Sequence, residues 1–378
     1  MKRVFIFIVS LLAMINGGFA KDYRAVLVAD IDSGAVLYQE NANQLNYPAS
    51  LTKIMTLYLT FDALRHERLR LDDYLIVSKY ATEAQPVKLG LVAGSKIKVE
   101  DAIKAVAVLS ANDVARVLAE NLKGGNEGSF ANMMTNVATE IGLKNTNFEN
   151  SSGLPNEDHL STARDIALLS MAVYKHFPEY WKYFGIKTWT YNGKTYTNGN
   201  RLLGNYPGCD GMKTGFTNKS KYSLVATAKR NGTHLMAVVL GAEDKDVRAN
   251  VATRMLNLGF SGGQNKPVVK QNTPITRYSQ DAIEGLYHSE PVYGETEVHE
   301  TTKYIKGDSG IQFGAFSSYT AAQNMTAKIK NLLNVVPIIE RSEDDNLYRV
   351  RVNGITNDMA RKLKHDASIQ GIETYIYQ

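Results

Sequence analysis

Cysteine is nearly absent from this chain: Cys209 is the single one among 378 residues. No internal disulfide can form, and a chain of this length needs none, because it can bury enough apolar surface without covalent staples. Cys209 also lacks a partner motif for thiol chemistry and reads as a bystander. The seven histidines show no ligand spacing such as His-Glu-x-x-His, so neither a metal nor a cofactor is implied. Long basic blocks are missing too. A net charge of +5 spread along the chain argues against a nucleic-acid partner. No apolar run is long enough to cross a bilayer comfortably, and the stretch Val4–Ile15 falls short of a transmembrane segment.

That stretch has another use. It follows a basic start and ends in small residues at Gly18 and Ala20, which is the pattern of a secretory signal peptide over residues 1–20. Beyond it, 44% hydrophobic and 21% charged residues are ordinary globular values, and the length allows two domains and a linker. Residues 23–39 alternate apolar and polar around Asp-Ser-Gly and predict a β-hairpin. Helical periodicity runs from Pro48 to about Lys123 and resumes through residues 130–143 and 162–177. Strand patterning returns after Trp181, with a hairpin turning at Asn231-Gly232, and a last helix ends near Gly259. Strands at both ends of a helical middle predict one α/β domain over residues 21–261.

Periodicity is lost over residues 262–305, where Pro267, Pro274 and Pro291 punctuate polar sequence; this predicts a flexible linker. Residues 306–378 then read β-α-β-β-α-β, the ferredoxin-like arrangement.

One short run raises a chemical question. In "NYPASLTKIMT", Ser50 and Lys53 stand one helical turn apart among apolar residues. Pro48 suits the first turn of a helix, and a helix N-terminus disfavours an ammonium. A free lysine has a pKa of about 10.4 and is no base at neutral pH. Burial and neighbouring positive charge lower that value, and a neutral amine beside a serine activates it as a nucleophile. The alternative is a snorkelling lysine beside a capping serine, and the tetrad alone leaves both open. Ser95 and Lys98 repeat the spacing after a glycine, outside any helical context, and mark how often chance produces it.

Two further motifs decide between them: "SAND" at Ser110–Asp113 and "KTG" at Lys213–Gly215. Ser-x-x-Lys, a Ser-x-Asn element and Lys-Thr-Gly, in that order, are the signature of penicillin-binding proteins and class A β-lactamases. Residues 21–261 resemble the serine-type D-alanyl-D-alanine carboxypeptidases, the low-molecular-mass penicillin-binding proteins. The likeness extends to "NSSGLPNEDHLSTARDIALLS" and "LLGNYPGCDGMKTGFTNKSKYSLVATA". It departs from the family at Phe216, where many members carry histidine, and at Lys221, where glycine is common. A β-lactamase would need a Glu-x-x-Leu-Asn loop, and none lies between Gly142 and Trp189.

The resemblance implies a β-lactamase-like domain, an antiparallel sheet with a helical region, and assigns roles. Ser50 is the nucleophile and Lys53 its base. The backbone N–H groups of Ser50 and Phe216 form the oxyanion hole. Ser110 relays a proton, with Asn112 on the same wall. Lys213 supplies positive potential, and Thr214, Gly215 and Arg248 attend the substrate's terminal carboxylate. The substrate implied is the peptidoglycan pentapeptide, with β-lactam antibiotics as covalent inhibitors. A D,D-endopeptidase shares every motif, and a degenerate wall-binding scaffold is a third reading.

Residues 306–378 resemble a SPOR domain, on "IQFGAFSSYTAAQ", "YRVRVNG" and the element order. That likeness implies binding of denuded glycan strands and a place in the periplasm, at the division septum. Strand alternation puts Gln312, Phe316, Arg349, Arg351 and Tyr375 on the open sheet face, with Ile311, Phe313, Val350 and Val352 turned inward. The serine-protease-like "GDSG" at Gly307–Gly310 has no histidine and aspartate modules before it and is set aside.

Overall fold

The computed structural model describes residues 22–262 and 309–377, apart from 334, 336, 343, 344, 346 and 371. The expected leader and most of the expected linker lie outside the described residues.

The larger unit is built on a five-stranded antiparallel sheet, in the spatial order Val36–Glu40, Ala25–Asp30, Thr233–Ala242, Lys221–Arg230 and Cys209–Thr217. The hairpin expected at the N-terminus is β1 (Ala25–Asp30) and β2 (Val36–Glu40). Its β1 pairs with a strand more than two hundred residues away, Val28 facing Ala237, so both ends of the domain close the sheet. The helical middle follows: α1 (Lys53–Arg65), then β3 (Tyr74–Ile76), a short α2 (Lys79–Thr82) and β4 (Lys96–Lys98). The small β3–β4 sheet interrupts what periodicity predicts as unbroken helix. Ser95 and Lys98 fall at this sheet, so the second Ser-x-x-Lys is not helical.

Next come α3 (Val99–Lys104), α4 (Asn112–Leu122), α5 (Glu127–Glu140) and α6 (Ala163–His176). Between α3 and α4 the chain widens into a π turn at Ala105–Leu109, then breaks at Ser110. A π turn inside a helix re-aims the residues that follow it, and here those residues are the Ser-x-Asn element. A small hairpin, β5 (Thr188–Tyr191) and β6 (Lys194–Thr197), precedes the long strands β7 (Cys209–Thr217), β8 (Lys221–Arg230) and β9 (Thr233–Ala242). Helix α7 (Lys245–Phe260) packs back on the sheet.

Two apolar clusters fill the layers. One joins α1, α4, α5 and α6 to one sheet face, through Leu57, Phe61, Leu118, Phe130 and Val238. The other seats α7 on the opposite face, through Val251 and Leu256 against Val26 and Leu224. Each large aliphatic side chain buried this way contributes about 1.5–3 kcal/mol. Helix α1 is buried on all sides along nearly its whole length, so it is the central helix of the domain.

The second unit is β10 (Ser309–Phe316), α8 (Tyr319–Leu333), β11 (Ile338–Arg341), β12 (Tyr348–Ile355), α9 (Asn357–Ile369) and β13 (Tyr375–Tyr377). Its sheet is ordered β11-β12-β10-β13 and antiparallel throughout. Ile311, Phe313, Val350 and Val352 are buried in its core.

Strand alternation misplaced one residue. The β10–β12 register shifts between Gln312 and Gly314, so Gln312 faces Arg351 but Phe316 faces the buried Tyr348. Phe316 is therefore not on the open face; it packs partly against the core. One extra residue at a bulge reverses the parity of everything beyond it, and exposed Ala315 takes the outward place opposite Arg349.

The two units touch. Tyr348 donates to Asp158 at 2.7 Å, and Arg341 pairs with Glu149 at 3.1 Å.

Candidate active site

Pro48 leads into a 3-10 turn, Ala49–Thr52, that continues directly as α1. Ala49 holds a left-handed φ of 47°, a conformation uncommon for a residue with a Cβ and concentrated at functional sites. β7 lies close against this turn at Gly215. A Cβ there would come 3.0 Å from the Pro48 carbonyl oxygen and 3.3 Å from Ser50 N. Glycine in Lys-Thr-Gly is what lets the strand approach the Ser50 backbone. Gly153 does the same from the other side, where a Cβ would overlap the Ala49 carbonyl.

Lys53 is fully buried, and its Nζ has three neighbours: Ser50 Oγ at 3.0 Å, Asn112 Oδ1 at 2.7 Å and the Ser152 carbonyl at 2.6 Å. The Asn112 amide is oriented by its own Nδ2, which donates to the Gln85 carbonyl at 2.8 Å. Asn112 Oδ1 and the Ser152 carbonyl can only accept, so they take two N–H bonds. The third direction faces a hydroxyl that can either accept or donate. Burial pushes the Lys53 ammonium well below its ordinary range, and the positive charge of Lys213 pushes the same way. A neutral Lys53 keeps two N–H bonds and turns its lone pair to Ser50 Oγ. That is the geometry of a general base on its nucleophile.

The opposite wall is made by Ser110 and Lys213. Ser110 is left-handed at φ 65°, ψ 35°, which turns its hydroxyl to accept from Lys213 Nζ at 2.8 Å. Burial, with a lesser contribution from Arg248, lowers Lys213 to about 7. Arg248 is 6% exposed, so it is not a solvent-facing helix arginine. It donates to the Gly199 carbonyl at 3.2 Å and the Ser223 carbonyl at 3.4 Å, and its buried Nε has no hydrogen-bond partner. Gly199 lies against Thr214, whose Oγ1 a Cβ at 199 would meet at 2.9 Å. Lys213, Thr214 and Arg248 thus form one continuous cationic corner. Phe216 is 47% exposed, and its ring packs on Tyr222 at 4.3 Å between centroids.

Several groups that hold this arrangement carry no motif of their own. Asp113, fully buried, accepts from the N–H groups of Leu89, Gly90 and Leu91 and so ties that loop to α4. Glu127 accepts from Ser151 N at 3.0 Å and from its hydroxyl at 2.5 Å, while Arg116 pairs with its other oxygen at 3.1 Å. This anchors the segment whose Ser152 carbonyl binds Lys53. His159 lies 2.8 Å from Thr52 Oγ1, and burial, aided by Lys53, lowers its pKa to about 3. Asp210 accepts from Trp181 at 2.9 Å and from Thr227 at 2.7 Å, below the start of Lys-Thr-Gly. Asp113 lay within the "SAND" run, but a buried carboxylate among polar neighbours looks in sequence like a surface one.

On the terminal unit, Gln312 lies in register with both Arg351 and Tyr375. Arg351 donates to Gln312 Oε1 at 3.0 Å, pairs with Glu340 at 2.7 Å and lies 4.7 Å from the Tyr377 ring centroid. Tyr375 is 67% exposed. Arg349 pairs with Asp345 at 2.5 Å. Glu340, Asn353 and Tyr377 join this face through bonds to Arg351 and to one another.

Comparisons with known proteins bear on both units. Residues 20–244 match the D-alanyl-D-alanine carboxypeptidase family, and residues 306–378 match the SPOR domain. The chain is 34% identical over 303 residues to the D-alanyl-D-alanine carboxypeptidase DacF of Bacillus subtilis, covering 76% of each. It is 39% identical over 246 residues to DacC of Escherichia coli, covering 63% of this chain and 61% of that one. The match therefore spans less than two thirds of the E. coli relative. Among solved structures, penicillin binding protein 5 from Haemophilus influenzae superimposes with a TM-score of 0.62 at 33% identity, over 64% of this chain and 71% of that one. Penicillin-binding protein D2 from Listeria monocytogenes, in its ampicillin-bound form, gives 0.58 at 31% identity, over 63% and 98%.

Proposed function

The chain belongs to the D-alanyl-D-alanine carboxypeptidase family, and from that premise we propose that it is a periplasmic serine carboxypeptidase that removes the terminal D-alanine from peptidoglycan pentapeptide stems. The observation that carries this reading is the contact of Lys53 Nζ with Ser50 Oγ, alongside two neighbours that can only accept.

Ser50 Oγ attacks the carbonyl carbon of the penultimate D-alanine as its proton passes to Lys53 Nζ. The carbonyl oxygen becomes an oxyanion, held by the N–H groups of Ser50 and Phe216. Such preorganised donors contribute about 3–4 kcal/mol each to similar steps. Collapse breaks the peptide bond. The leaving amine takes a proton through the Ser110 hydroxyl, which Lys213 contacts, and water then releases the acyl group from Ser50. The terminal carboxylate sits at Lys213, Thr214 and Arg248, where the unpartnered Arg248 Nε supplies a donor. A β-lactam would acylate the same hydroxyl.

The terminal domain would bind denuded glycan through Gln312, Arg349, Arg351 and Tyr375 and hold the enzyme at septal wall. A D,D-endopeptidase would use the same catalytic residues, so the purified protein is tested on both substrates. Release of D-alanine from pentapeptide, with slower cleavage of cross-linked dimers, supports the carboxypeptidase; the reverse ratio makes it an endopeptidase.

A further inference from the structure

A shallow cleft opens beside the Ser50 turn and has no part in the chemistry described above. Its walls include Pro48 and Ala49, the Leu154–Pro155 turn, and Thr217 and Lys219 at the end of β7. Its position relative to the substrate follows from the site. The terminal carboxylate sits at the Lys213–Thr214 end of β7 and the oxyanion at Phe216. An acyl donor laid along this edge strand therefore runs antiparallel to β7, a common mode of peptide capture. The residue preceding the penultimate D-alanine then passes Thr217 and reaches the cleft.

The mouth of the cleft carries one charge of each sign. Lys219 pairs with Glu157, and Tyr47 donates to the other Glu157 oxygen at 2.8 Å. The Lys219 ammonium also lies 5.5 Å from the Tyr47 ring centroid. Arg24 holds the Lys219 carbonyl at 2.9 Å, which fixes the backbone beneath it. The pair is solvent-facing, with Lys219 51% and Glu157 73% exposed. Exposed pairs of this kind hold together weakly, so a ligand can part them cheaply if it brings a partner for each.

We propose that this cleft is the subsite for the third residue of the stem, and that it selects a diamino-dicarboxylic acid over lysine. This rests on the carboxypeptidase reading above. The side chain of such a residue ends in an ammonium and a carboxylate on one carbon. Its ammonium meets Glu157, its carboxylate meets Lys219, and its methylenes lie along Pro48, Leu154 and Pro155. A lysine side chain brings the ammonium alone and leaves Lys219 without a carboxylate. Selection by an ion left unpaired is a stronger filter than loss of an apolar contact.

Binding to full-length Ser50→Ala protein tests this without turnover. Two pentapeptides, differing only in a diamino-dicarboxylic acid or lysine at the third position, are titrated by calorimetry. We expect the dicarboxylic peptide to bind about tenfold more tightly, and Lys219→Gln to remove most of that difference by weakening this peptide alone. Equal affinities before the substitution, or a preference that survives it, overturn the proposal. A preference that depends on Lys219, in a protein whose intact form releases no D-alanine, leaves the subsite standing and removes the catalytic reading instead.

Discussion

Lys213 Nζ lies 2.8 Å from Ser110 Oγ, and its positive charge acts on Lys53. Both lysines are buried, in different environments. Lys213 titrates near 7 in the folded protein against about 10.4 unfolded. Between those values the unfolded chain binds the extra proton, so this residue makes stability rise with pH, by up to about 1.4 kcal/mol per pH unit. Denaturant unfolding from pH 7 to 10 should therefore show a steeper rise for the intact protein than for Lys213→Met. Parallel curves would mean that Lys213 keeps an ordinary lysine pKa.

Ser50→Ala should abolish labelling by a fluorescent penicillin, while Ser95→Ala leaves it intact. Of these two serines, Ser50 lies in reach of a buried amine, whereas Ser95 borders the small β4 strand. Labelling retained in the first variant, or lost in a folded second one, refutes the assignment.

Lys53→Arg should acylate less than a hundredth as fast as the intact enzyme, although it keeps the positive charge. A guanidinium with a pKa above about 12 has no lone pair to offer Ser50. Stopped-flow acylation by penicillin reads the rate directly. A tenth or more of the original rate would make Lys53 an electrostatic group only.

Glu127→Gln should slow acylation and also destabilise the fold by about 3 kcal/mol, because it leaves the Arg116 guanidinium buried without its carboxylate. Loss of stability alone, with the acylation rate intact, would show that the Ser151–Ser152 segment holds its position without Glu127. Chemical denaturation and acylation kinetics on one preparation separate the two effects.

Removal of everything after Ser261 should leave turnover of soluble pentapeptide within about twofold and abolish retention on denuded glycan. Among the described residues the contacts between the units include Tyr348 with Asp158 and Glu149, and Arg341 with Glu149. The half-exposed ion pair is worth about 0–1 kcal/mol and the tyrosine–carboxylate bond about 1.5–3 kcal/mol, too little to hold up a catalytic domain with its own apolar core. Gln312→Ala with Arg351→Ala should weaken glycan binding in a pull-down on its own. Collapse of soluble activity in the truncated enzyme would show that the terminal domain supports the catalytic fold.

Much of the site was legible before the fold because its chemistry is local. Ser50 and Lys53 share one turn, Ser110 and Asn112 one helix junction, and Lys213 to Gly215 one strand, so spacing alone puts each group on one element. The sheet was legible for the same reason, apart from β3 and β4, which are too short to impose a period on the sequence. Phe316 failed because a bulge is invisible to alternation.

Residue identity and short-range periodicity were enough to read the chemical groups, their order and the two domain types. Which lysine is held below its ordinary pKa, and which carboxylate is buried, depended on the folded chain. Lys53 is fully buried because α1 is wrapped on every side. Its partners, Asn112 and Ser152, stand 59 and 99 residues further along the chain. Desolvation and hydrogen bonding act through space, over neighbours that only folding brings together, so no local pattern could have shown that this amine is held below its ordinary pKa.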